Sequence, residues 1–139
     1  MDPRFIATPP ASDVARALAL WPELGGKRIR PLVITAFGGI FVETDQGEVL
    51  LADPIGLTCK QVARSPIELQ RLFSEPSWAR ERLLVDVAIL AHERGITRAP
   101  HQVFAIAPHP CFSGRLDVEH LVPMDLYVWH HICSQLPHV

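Results

Sequence analysis

Leu32-Val33-Ile34-Thr35-Ala36-Phe37-Gly38-Gly39-Ile40-Phe41-Val42-Glu43 is the stretch that decides the fold of this chain. β-Branched and aromatic residues lie on both sides of a glycine pair. This is strand composition interrupted by a bulge, or by a tight bend where a side chain would clash. Asp45-Gln46-Gly47 follows as a hairpin turn, and Glu48-Val49-Leu50-Leu51-Ala52-Asp53 resumes the strand pattern. The expected product is an antiparallel meander.

Upstream, residues 1–11 read as a loosely held arm, with Pro9-Pro10 favouring extended backbone. Ser12 or Asp13 caps a short helix running through Trp21, with Leu18 and Trp21 on one face, and Pro22 and Gly25-Gly26 end it. Downstream, Ser65-Pro66-Ile67-Glu68 supplies a serine N-cap, a proline at the first helical position and a glutamate spaced to close a capping box. That helix runs to residue 74. A second spans 76–94 and stops at Gly95, and its apolar half, 83–90, is expected to lie buried against the sheet.

Residues 103–107 form an uncharged run read as a central strand, 109–114 a loop, and 117–121 a short extended piece. Pro123 opens a final helix to Leu136. Leu126, Trp129, Ile132, Cys133 and Leu136 make its inner face, and Tyr127, His130, His131 and Ser134 point outward. The fold class is α+β: an antiparallel β-sheet packed against two middle helices and a C-terminal helix. Residues 1–30 are an N-terminal arm and short helix, residues 31–139 the main domain, and the two together one compact unit.

Composition narrows the function. Among 139 residues, 48% are apolar and 20% charged, which excludes a disordered or fibrous chain. Thirteen basic against 15 acidic residues give a net charge of −2, with no positive excess for a nucleic-acid surface. Cys59, Cys111 and Cys133 are odd in number at unrelated spacings, as expected of reduced thiols in a cytoplasm. Residues 1–6 lack the basic segment and apolar run of a signal peptide. The longest apolar stretch, 83–91, is interrupted by Asp86 and falls short of the roughly 20 residues of a membrane span. The expected location is the cytoplasm.

Few residues group in a way that carries chemistry. His130-His131 are adjacent and point about 100° apart on a helix, so they do not chelate one ion. His92-Glu93 lacks the second histidine of a zinc-protease helix, and no two cysteines have structural-zinc spacing. No metal, cofactor or catalytic set is expected. His109-Pro110-Cys111 is the one loop to test as a nucleophile site, but no orienting acid is evident for His109 unless Asp117 or Glu119 folds back to it; the plainer reading has Cys111 and Phe112 anchoring the loop in the core. Glu43, Asp45, Glu48 and Asp53 around the hairpin, and Asp117, Glu119 and Asp125 further on, read as a solvated rim, as an acidic patch for a basic partner or, if one lay in a desolvated cleft, as an acid–base pair.

Two segments resemble a known family. Thr35-Ala36-Phe37-Gly38-Gly39-Ile40-Phe41 with the following hairpin is similar to the "aFGdlF" strand of the C-terminal domain of type VI secretion immunity proteins, the class that protects against DNase effectors. Residues 102–121, with Met124-Asp125-Leu126-Tyr127-Val128-Trp129-His130-His131-Ile132 and Gln135-Leu136, resemble that family's ending. Ser113-Gly114 stands where the family often has Gly-Gly, His120 where Asn is common and Gly39 where Asp is usual. The fold also looks distantly like the SUKH superfamily of immunity and regulatory binding domains.

The resemblance implies a non-enzymatic immunity protein that binds and neutralises a cognate bacterial toxin, such as a type VI secretion nuclease effector, by surface occlusion. The expected contact surface combines Glu43, Asp45 and Glu48 with His109, Phe112, Asp117 and Glu119. Two alternatives stay open: a SUKH-like scaffold module without a toxin partner, and a small cysteine-dependent hydrolase using Cys111 and His109. Oligomeric state is left open.

Overall fold

A computed structural model describes residues 1–136; the last three residues assigned to the main domain lie outside the described residues. Strands β1 (Ile29–Ile34), β2 (Ile40–Thr44), β3 (Val49–Asp53) and β4 (Thr58–Ala63) pair antiparallel in that order. The meander is therefore present, with β4 added by a segment whose polar residues hid its strand character. The glycine pair makes a tight turn rather than a bulge: Thr35 N–H donates to the Gly39 carbonyl at 2.8 Å, and Gly38 sits at φ +89°. The register shifts fall elsewhere, at residue 32 of β1 and residue 62 of β4.

Both faces of this sheet are covered, which is why β2 and β3 read as near-continuous apolar runs. On one face Phe41, Val49 and Leu51 meet helix α2 (Pro66–Phe73) and helix α3 (Pro76–Leu83) through Leu69, Phe73 and Trp78. The Phe41 and Phe73 rings meet edge-on with centroids 5.3 Å apart. On the other face Ile40, Val42, Leu50 and Ala52 share a core with helix α1 (Ala11–Leu18), helix α6 (Leu126–Ser134) and strand β5 (Gln102–Ile106).

The α2 start follows its signals: Ser65 Oγ accepts the Glu68 N–H at 3.1 Å, and Pro66 is the first helical residue. The Glu68 carboxylate reaches back one residue further than a standard capping box and accepts the Arg64 N–H at 3.0 Å. Helix α1 departs from expectation. Neither Ser12 nor Asp13 caps it; the chain enters through Pro10, and a 3₁₀ turn at Pro22–Leu24 follows where the helix was expected to have ended.

The single helix expected over 76–94 is two. Leu84 adopts left-handed backbone (φ 51°) between α3 and α4 (Val85–Glu93). The break has a packing cause, since α3 serves the Phe41 face while Ala88 and Ala91 of α4 belong to the opposite core. The run 83–90 is accordingly not buried throughout: Asp86 and Leu90 are exposed.

Strand β5 is buried but not central. It pairs only with β6 (Leu121–Asp125), and its Phe104 N–H reaches across to the Ala36 carbonyl at 2.7 Å. Pro123 lies within β6, opposite Phe104, so the last helix starts three residues later, at Leu126. A proline is tolerated there because β6 has a free edge that needs no N–H. Residues 109–114 contain one helical turn, α5 (Pro110–Ser113), and 118–120 a 3₁₀ turn.

The N-terminal arm is held, not loose. Ala7 N–H donates to Ile34 and Ala36 N–H to Phe5, each at 2.9 Å, so the arm continues the edge of β1. Ala7, Val14, Leu18 and Trp21 all enter the main core, and β1 begins before residue 31. The division drawn at residue 30 thus runs through one strand.

Candidate functional site

Helix α6 buries Leu126, Trp129, His130 and Cys133, a regular i, i+3, i+4, i+7 stripe. His130 was expected to face outward and is 1% exposed; Ile132, expected inside, is 40% exposed. The stripe is visible in the sequence once histidine is admitted as a core residue. His130 Nδ1 accepts the Trp21 indole N–H at 2.9 Å, which leaves Nε2 protonated to donate to the Gly38 carbonyl at 2.6 Å. Burial pulls its pKa down to about 4, against a smaller upward pull from the Gly38 carbonyl. Trp129 Nε1–H donates to the Phe37 carbonyl at 3.2 Å. Two adjacent aromatic side chains of α6 thereby fix the β1–β2 turn.

The same device anchors the 109–114 segment. His109, 5% exposed, lies against the Trp129 ring with centroids 5.6 Å apart. Its Nδ1 accepts the Cys111 backbone N–H at 2.9 Å, so Nε2 carries the proton and donates to the Pro54 carbonyl at 2.8 Å. No acceptor lone pair remains on this imidazole to take a proton from the Cys111 thiol. The base that the cysteine-hydrolase alternative requires is therefore committed to the main chain.

Cys111 and Phe112 do not anchor the loop in the core. Cys111 is exposed and Phe112 is 66% exposed, carried on the α5 turn above a pinned base. The anchor is His109. Asp117 Oδ1 accepts the Glu119 N–H at 3.0 Å and so caps the 3₁₀ turn, while the exposed Glu119 lies 3.6 Å from Arg94.

Glu43, Asp45 and Glu48 sit at the β2–β3 turn. Glu43 is ion-paired across the strands with Arg30, Asp45 is exposed, and Glu48 is half-buried. The two halves of the expected contact surface are not neighbours along the sheet. His109 binds Pro54 at one end of β3 and the hairpin acids lie at the other. Five residues of extended strand, and so six steps along the chain, separate Glu48 from Pro54, about 20 Å.

The remaining thiols are protected. Burial raises Cys133 to about 12, helped by the charges of Asp53 and Cys111, and raises Cys59 to about 11, helped by Glu23. Among the described residues no group of three or more His, Cys, Asp or Glu side chains is placed to hold a metal ion. No helix among them is long and apolar enough to cross a membrane. Protein-family models and curated proteins return no match to this chain.

Proposed function

We propose that this chain is a binding protein: an immunity protein that neutralises a cognate bacterial toxin by covering it. What supports the reading is Phe112, a large aromatic two-thirds exposed on a turn whose base is pinned by both nitrogens of His109. Aromatic anchors on rigid supports dominate protein interfaces, because little ordering entropy is lost when they insert into a partner pocket. Asp117 and Glu119 follow the anchor along the chain, Glu119 facing Arg94, and in this proposal they meet a basic partner, the charge a nuclease carries toward its polyanionic substrate. The toxin class itself comes from the motif resemblance. The reading places the chain in the cytoplasm with its thiols reduced.

Since the hairpin acids lie at the far end of β3 and Glu43 is already paired with Arg30, the 109–119 segment is the primary contact in this proposal. The test is co-expression with the product of the neighbouring open reading frame. Growth arrest by that product alone and growth restored by this chain are expected. Phe112→Ala is expected to weaken binding at least about tenfold, as truncation of an interface anchor does. A lethal neighbour that this chain neither binds nor neutralises would end the proposal.

A further inference from the structure

A groove of about 300 Å³ lies between the N-terminal arm and the segment joining α4 to β5. Ile6, Ile96, Pro100 and Phe104 give it apolar walls, while Arg98, Thr8, Thr97 and His92 supply its polar edge. Arg4 also borders it but is neutralised by a two-pronged pair with Asp2.

Arg98 sets this groove apart. Among the described residues it is the one arginine that is not exposed, and it forms no ion pair with any Asp or Glu. Its Nη1 donates to the Gln102 and Ala99 carbonyls at 3.0 and 3.4 Å, and its Nη2 to the Ile6 and Pro3 carbonyls at 2.7 and 2.9 Å. Carbonyls satisfy N–H groups but do not cancel a full positive charge, and Nε–H has no acceptor among the described residues. Burial lowers the pKa of Arg98 below the ordinary arginine value, the direction expected of a half-buried charge without a counter-charge. The group nevertheless stays ionised. Its four-carbonyl cradle holds it in place, so a ligand would meet an immobilised cation beside an apolar wall.

We propose that this groove binds a small amphiphilic carboxylate, its head on the Arg98 guanidinium and its hydrocarbon body against Ile6, Ile96 and Phe104. A single negative charge matches Arg98, the groove-wall arginine without a carboxylate partner among the described residues, and the walls suit a hydrocarbon chain rather than a second anionic group. A cavity beside Trp21 and His130, about 470 Å³, offers no such anchor. Both nitrogens of His130 are engaged there, and the charged residue on its wall is Glu23. Arg98 also ties Pro3 and Ile6 to β5, so the arm forms one wall of the site. The inference stands independently of the toxin reading.

The test is titration of the full chain with octanoate, octanol and inorganic phosphate, followed by backbone and arginine-side-chain NMR. Octanoate is expected to bind one-to-one, with shifts at Arg98 Nε, Ile6 and Ile96. Octanol is expected to bind about tenfold more weakly, having lost the charge-assisted hydrogen bond, and phosphate not to saturate. Arg98→Gln should abolish octanoate binding but also frees the arm. Thr97→Asp keeps Arg98 and sets a competing carboxylate on the groove wall, and it should weaken octanoate at least as much as the loss of charge in octanol does. Equal affinity for octanoate and octanol, absence of saturation by octanoate, unchanged binding to the Thr97→Asp chain, or shifts centred on Trp21 would each overturn the proposal.

Discussion

Gly38→Ala is the substitution whose cost the structure specifies most closely. Gly38 sits at φ +89°, and a Cβ there would lie 2.7 Å from Trp129 Cδ1 and 3.1 Å from Nε1. Left-handed backbone costs a non-glycine residue about 1–2 kcal/mol. Trp129 is fully packed, so relief has to pull the Gly38 carbonyl off His130 or the indole off the Phe37 carbonyl. Leaving one of those buried groups unpaired adds about 1–3 kcal/mol. The sum is about 2–5 kcal/mol, a large part of the stability of a domain this size. Gly47→Ala is the matched control. Gly47 has nearly the same backbone (φ +85°) with nothing within 4 Å of the added methyl, so it isolates the conformational cost of about 1–2 kcal/mol. Urea unfolding of both variants, read by tryptophan fluorescence at constant m-value, measures the difference. Coincident midpoints would show that α6 does not hold the turn rigidly, and the reasoning about the Trp129–His130 pair would fail.

Other outcomes follow from the same geometry. His130 titrates near 4 when folded and near 6.5 when unfolded, so as pH falls the unfolded chain takes up the proton first. Its contribution is complete above about pH 6.5 and is lost progressively toward pH 4, by about 3 kcal/mol. Urea midpoints across that window should fall for the natural chain, with a flatter profile for His130→Gln. Ser65→Ala removes the α2 cap and should cost about 1 kcal/mol in thermal or chemical unfolding. In the folded chain a thiol reagent should modify Cys111 at the rate of a simple exposed thiol, with Cys59 and Cys133 protected. A much faster rate at Cys111 would mean that a base acts on it after all.

Local signals in the sequence carried the β-meander, the Ser65 cap and the Gly95 stop, because each depends on residues a few positions apart. What they could not carry was set by distant parts of the chain. The left-handed Leu84 exists because α3 and α4 serve opposite faces of the sheet, and no residue near position 84 records that need. Pro123 suggested a helix start and lies instead in an edge strand, since β5 supplies the pairing from across the domain. The inward His130 and the pinned His109 were missed for a shared reason. A polar ring in a helix or loop reads as a surface residue, yet carbonyls of Gly38 and Pro54 and an indole N–H satisfy these imidazoles inside. Of the candidate site, the acids were legible in the sequence, whereas their partial burial and the exposure of Phe112 depended on contacts from elsewhere in the chain.

Hydrogen exchange of this chain, alone and mixed with the product of the neighbouring gene, tests most directly whether it acts through its exterior. New protection concentrated over residues 110–119, with the β2–β3 turn unchanged, is the expected footprint. Protection confined to the β2–β3 turn, or a complex that leaves residues 110–119 exchanging as freely as before, would contradict it.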